Sequence, residues 1–112
     1  RRRLMDILCN YAGYRKCVPI LVFDAYRVKG AGREQETWHN LHVIYTREAE
    51  TADMFIERAT HELAKNHRVR VVSSDGAEQI IILGNGALRV SARAFEREVR
   101  AVEAEIREFL DQ

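Results

Sequence analysis

Proline, cysteine and long apolar runs are all scarce in this chain of 112 residues. One proline and six glycines leave no material for long linkers, so a single domain over residues 1–112 with a core of its own is expected. The two cysteines, Cys9 and Cys17, are too few for a disulfide framework. Neither lies in a CxxC pair, which argues against structural zinc and makes a reducing cytoplasm the expected location. The uncharged apolar runs are short and strand-like, far below the ~20 residues of a membrane-spanning helix, so no membrane partner is expected. An excess of one charge is missing too. Eighteen Lys and Arg stand against 17 Asp and Glu, a net charge of +1, so only the placement of charge can indicate a nucleic-acid partner. The chain opens on Arg1-Arg2-Arg3 rather than an initiator Met, from which a fragment of something longer is expected.

What is present reads as alternating helices and strands. Leu4, Ile7, Leu8 and Tyr11 mark one face of a helix over about 2–14. Ile20 to Phe23 is a continuous apolar run, as in a strand covered on both faces. Residues 25–40 are polar, with two glycines, and read as a long loop. A strand follows at 42–45, then a helix marked by Ala52, Phe55, Ile56, Ala59 and Leu63, then a strand at 69–72. Asp75 and Glu78 have capping-box spacing, which predicts a short helix closed by Gly84. Phe95, Val99, Val102, Ile106 and Phe109 define a final helix starting near Ser91. This alternation predicts an α/β fold with a parallel sheet and right-handed crossovers.

On that reading three aspartates fall at or just beyond strand carboxyl ends: Asp24 after PILVF, Asp53 after LHVIYT, and Asp75 after VRVVSS. Each has an ordinary explanation. Asp24 serves as a turn cap, Asp53 sits where a helix dipole favours acids, and Asp75 fits a capping box. Together they mark the edge where open α/β sheets bind ligands. Converging carboxylates suit a hard divalent cation, Mg²⁺ or Mn²⁺, beside a phosphate, and Glu50 is a candidate further ligand. Gly84 and Gly86 precede Arg89, Ser91 and Arg93, which suits phosphate contact, though a solvated connector fits equally well. Arg27 and Lys29, with Tyr26 and Trp38 close by, mix cations and aromatic rings as single-stranded nucleic acid requires.

The strings VFDAYRVKG, YTREAETADMFIE, VVSSDGAEQ and GNGALRVSARAFEREV resemble the YacP-like branch of NYN-domain ribonucleases, relatives of the PIN nucleases, across nearly the whole chain. The resemblance implies a three-layer αβα Rossmann-like fold and metal-dependent RNA cleavage, including cleavage of mRNA on the ribosome. It places Asp24, Asp53 and Asp75 at acidic site positions, with Glu50, Ser74, Arg89 and Ser91 in adjacent motif positions. Family members begin with a strand ending in a DGYN-like motif. This sequence lacks it, which implies a missing N-terminal βα unit and a gap that a second copy could fill. The opening RRRLMDILCNY and KCVPILVFDAYRVKG also resemble NYN domains appended to ribosomal-protection GTPases of the tetracycline-resistance type. The leading expectation is therefore a metal-dependent endoribonuclease domain. A non-catalytic RNA- or ribosome-binding module is the alternative. A receiver-like phosphate-handling domain ranks below both, since no lysine ends a late strand.

Overall fold

The computed structural model describes residues 2–24, 35–47, 50–73, 78–84 and 89–112. In chain order the elements are α1 (Arg2–Arg15), β1 (Val18–Phe23), β2 (Gln35–Trp38), β3 (Leu41–Tyr45), α2 (Ala52–Leu63), β4 (Val69–Ser73), β5 (Glu78–Leu83), β6 (Arg89–Ser91) and α3 (Ala92–Leu110). The six strands form one sheet in the order β2-β3-β1-β5-β4-β6. Helices α1 and α3 cover one face around Leu8, Tyr11, Phe95, Val99 and Val102. Helix α2 covers the other, with Ala52 and Ile56 against Val22, Val71 and Ile81. This is the expected three-layer αβα arrangement.

Local sequence fixes the helices. The turn ending α1 puts Lys16 at φ 54° and returns the Cys17 amide to the Ala12 carbonyl at 3.1 Å, the six-to-one bond of a Schellman ending. Thr51 caps α2, its side chain accepting from Met54 N at 3.1 Å. Ser91 caps α3 in the same way, accepting from Ala94 N at 3.1 Å. In α3 the apolar stripe sinks Phe95, Val99 and Val102 into the core, while its last member, Phe109, is exposed.

The sheet departs from expectation in three places. It is mixed rather than parallel: β1 runs parallel to β3 and β4 to β6, but β5 is antiparallel to both β1 and β4. The predicted short helix ending at Gly84 is this strand. Its isoleucines alternate, Ile80 and Ile82 into one core and Ile81 into the other, and burial on two faces outweighs a capping pattern. Gly84 still supplies a positive φ, 104°, but it turns the chain out of β5, its N–H donating to the Arg68 carbonyl at 2.9 Å.

The second departure is β2, inside the expected loop. Trp38 pairs with Leu41 across a two-residue turn whose first residue, His39, has φ 54°, as a tight hairpin requires. Trp38 accordingly pins the hairpin to α1 rather than standing free for bases. Its Nε1 donates to Asp6 Oδ1 at 3.3 Å, its carbonyl accepts from Cys9 Sγ at 3.4 Å, and Arg2 lies 5.0 Å over its ring. The third departure is β6, within the glycine-containing segment read either as a phosphate contact or as a solvated connector. Among the described residues the six strands bond in one unbroken order.

Candidate functional site

Strand register brings the chemistry-bearing positions to one edge. Phe23, the last residue of β1, stands opposite Tyr45 at the end of β3 and Glu78 at the start of the reversed β5. Ser73, the last residue of β4, stands opposite Ser91 at the end of β6. The carboxyl ends of all four parallel-paired strands therefore share an edge with the amino end of β5. The β1–β3 half meets the β4–β6 half at β5, and such reversals of strand order are where open α/β sheets bind ligands.

Asp24 directly follows β1 and is half-buried. Asp53 lies in the first turn of α2. Its Oδ1 accepts a hydrogen bond from Gln79 Nε2, so two residues 26 positions apart meet at this edge. Gln79 stands opposite Val22 of β1, one position before the strand end that leads into Asp24. Glu50 has a different occupation. Its Oε2 takes two bonds from Arg58, at 2.8 Å from Nη2 and 3.3 Å from Nε, and its side chain is 20% exposed against 66% for Arg58. Arg58 and Glu50, with Thr46 and Arg47, line a cleft of about 660 Å³ at the end of β3.

The basic candidates divide. Arg89, exposed at the start of β6, donates Nη1 to Ser73 Oγ at 2.9 Å, which carries its guanidinium towards the carboxyl end of β4. Arg93 is exposed in the first turn of α3, where a cation opposes the helix dipole. Helix stability therefore does not account for it. Ser91 Oγ is engaged as the cap of α3. Asp75, Ser74, Arg27 and Lys29 lie outside the described residues.

Sequence reasoning missed Gln79. It is 7% exposed, and its Oε1 is a buried side-chain oxygen with no hydrogen-bond partner among the described residues. Leaving a buried acceptor unpaired costs about 1–3 kcal/mol, which sheet packing gives no reason to retain. The EQ pair in SSDGAEQ was visible, but under a helical reading Gln79 had no reason to face Asp53.

The fit to a divalent cation can be judged from these groups. Among the described residues no three His, Cys, Asp or Glu side chains converge tightly enough to hold a metal by themselves. The donors at the edge are nonetheless all oxygen: the carboxylates of Asp24 and Asp53, and the unpartnered Gln79 Oε1. That set suits Mg²⁺ or Mn²⁺, which keep several waters and need only one or two carboxylates from the protein.

Comparison with known proteins agrees with this architecture. The crystal structure of Rae1 (YacP) from Bacillus subtilis superposes with a TM-score of 0.73 at 34% identity, covering 96% of this chain and 62% of that one. The protein named "Uncharacterized protein YacP" from Bacillus subtilis (strain 168) is 42% identical over 104 residues, which is 92% of this chain and 61% of the relative. The chain thus spans about three fifths of the length of the relatives it matches. The sequence model of the YacP-like NYN domain matches residues 1–112. An α/β fold shared with the solved relative and a family match along the whole chain agree: this chain belongs to the YacP-like NYN domain family.

Proposed function

We propose that this domain is a metal-dependent endoribonuclease acting on single-stranded RNA. The observation that carries the reading is the meeting of Asp53 with Gln79 at the edge where β1 delivers Asp24. Membership of a nuclease-related family supports it. Asp24 and Asp53, with Asp75 from the neighbouring segment, are the residues that would hold Mg²⁺ or Mn²⁺, and Glu50 is kept in reserve by Arg58. A bound cation of this kind polarises a phosphoryl oxygen and lowers the pKa of an attacking water.

The protein's own part is positioning. Gln79 holds Asp53 Oδ1 in place. Arg89 and Arg93 offer guanidinium groups to backbone phosphates beside the carboxyl end of β4, and Arg27, Lys29 and Ser74 are proposed to extend that contact. The setting implied by the resemblance to domains fused to ribosomal-protection GTPases is mRNA on the ribosome.

The test is cleavage of a labelled single-stranded RNA with Mn²⁺, comparing the parent with Asp53→Asn. A loss of at least ~100-fold is expected, since removing a group that stabilises developing charge typically costs that much. An unchanged rate would sink the assignment. The alternative, a non-catalytic RNA- or ribosome-binding module, predicts no cleavage and a salt-sensitive affinity that survives both EDTA and Asp53→Asn.

A further inference from the structure

The proposed cation site has two carboxylates on described residues, and carboxylates repel one another. Each further acid strengthens the field but adds to that repulsion. A neutral oxygen ligand adds coordination without charge. Gln79 offers one in a distinctive state: 7% exposed, held by its Nε2 to Asp53 Oδ1, and with Oε1 buried and, among the described residues, unpartnered. Both amide atoms hang from one carbon, so fixing Nε2 against Asp53 also fixes Oε1 beside the same carboxylate. A glutamine buried for packing alone would be expected to pair both ends. Its backbone is held as firmly as any in the sheet, because β5 bonds to β1 on one side and β4 on the other.

We propose that Gln79 is itself part of the cation site. Its Nε2 positions Asp53, and its Oε1 serves as a neutral oxygen ligand for Mg²⁺ or Mn²⁺. The inference rests on the reading of this edge as a hard-cation site, and it goes further by assigning a ligand that carries no charge. One consequence is immediate. With glutamate at this position the ligand oxygen would remain, but the donor to Asp53 would be replaced by a second negative charge.

The experiment titrates Mn²⁺ into the chain, following free Mn²⁺ by its electron paramagnetic resonance signal. The parent, Asp53→Asn, Gln79→Met and Gln79→Glu are compared, and melting is recorded in EDTA. Met keeps the volume of the side chain and removes both polar atoms. The expectation is at least tenfold weaker Mn²⁺ binding in Gln79→Met, with no loss of metal-free melting temperature, because its unpaired oxygen is gone and the exposed Asp53 is rehydrated. Gln79→Glu keeps a ligand oxygen and should bind Mn²⁺ at least tenfold more tightly than Gln79→Met. If Gln79→Met binds within twofold of the parent while Asp53→Asn is weakened, the ligand role is wrong and the site stands. If the parent binds no Mn²⁺, both readings fall. Should Gln79→Met not fold, Gln79→Glu, which keeps a ligand oxygen, carries the test, and binding as weak as that of Asp53→Asn overturns the proposal.

Discussion

Arg70 of β4 and Glu98 of α3 face each other through two parallel contacts, Nη1 to Oε1 and Nη2 to Oε2, at 2.9 and 2.8 Å. The pair is sheltered, with side chains 17% and 35% exposed. It lies beside Tyr11, which burial, and secondarily the Glu98 charge, pushes above the usual tyrosine range. Three elements thus meet at one ion pair, in which only the Nη1–Oε1 contact has hydrogen-bond geometry. Glu98→Ala leaves the arginine half-sheltered and unpaired. A fully buried pair broken in this way costs about 3–5 kcal/mol; partial exposure reduces the expectation to about 1–2 kcal/mol. Arg70→Met with Glu98→Leu should recover most of the loss. Urea unfolding of the two single variants and the double variant measures the coupling, and a double variant as weak as the sum of the singles would refute it.

Ser91 separates a structural role from a binding role. Its side chain caps α3, so Ser91→Ala should lower stability by about 1 kcal/mol. Ser91→Asp should retain the cap, since an aspartate both caps and suits the helix dipole. On the nuclease reading, however, the added charge lies where RNA phosphates pass, so RNA affinity should fall in Ser91→Asp although the fold is intact. Melting curves and RNA titrations on the same samples distinguish the two effects. Equal affinity in both variants would remove Ser91 from the RNA path.

The basic residues make a quantitative prediction through salt. If Arg89 and Arg93 each neutralise one phosphate, Arg89→Gln and Arg93→Gln should weaken RNA binding for every sequence alike. Each should reduce the slope of log affinity against log salt by about 0.7, the value for single strands. Unchanged slopes would assign these side chains to solvent.

Thiol chemistry tests the core. Burial pushes the Cys17 thiol above its ordinary range, with Arg15 opposing only in part. Burial also raises Cys9, whose Sγ donates to the Trp38 carbonyl at 3.4 Å. A raised folded pKa favours the neutral form. The associated stability is therefore fully present below the unfolded thiol pKa, about 8.5, and is lost as pH rises through it towards the folded value. Iodoacetamide should label native Cys17 far more slowly than the urea-unfolded chain at pH 8. Stability should decline as pH rises above about 8.5, less so in Cys17→Ala. Rapid native labelling would show that the end of α1 opens readily.

The sequence alone determined whatever depends on neighbours along the chain. The stripe Phe95, Val99 and Val102 and the cap Ser91 define α3 within a few residues, and both follow from helical periodicity and backbone donors at a helix start. The run ending at Asp24 is a strand for an equally local reason, since Pro19 to Phe23 admits little besides an extended, doubly covered segment. Tertiary structure decided the rest. Residues 78–83 carry signals for a short helix. They became a strand because β1 and β4 present free edges on either side, and because isoleucines facing two cores bury more there than a single helical turn could. That choice turned Gln79 towards Asp53, reversed the sheet at its centre, and placed a buried amide oxygen at the ligand edge. No spacing along the chain encodes that meeting. It arises only when strands distant in sequence settle into register.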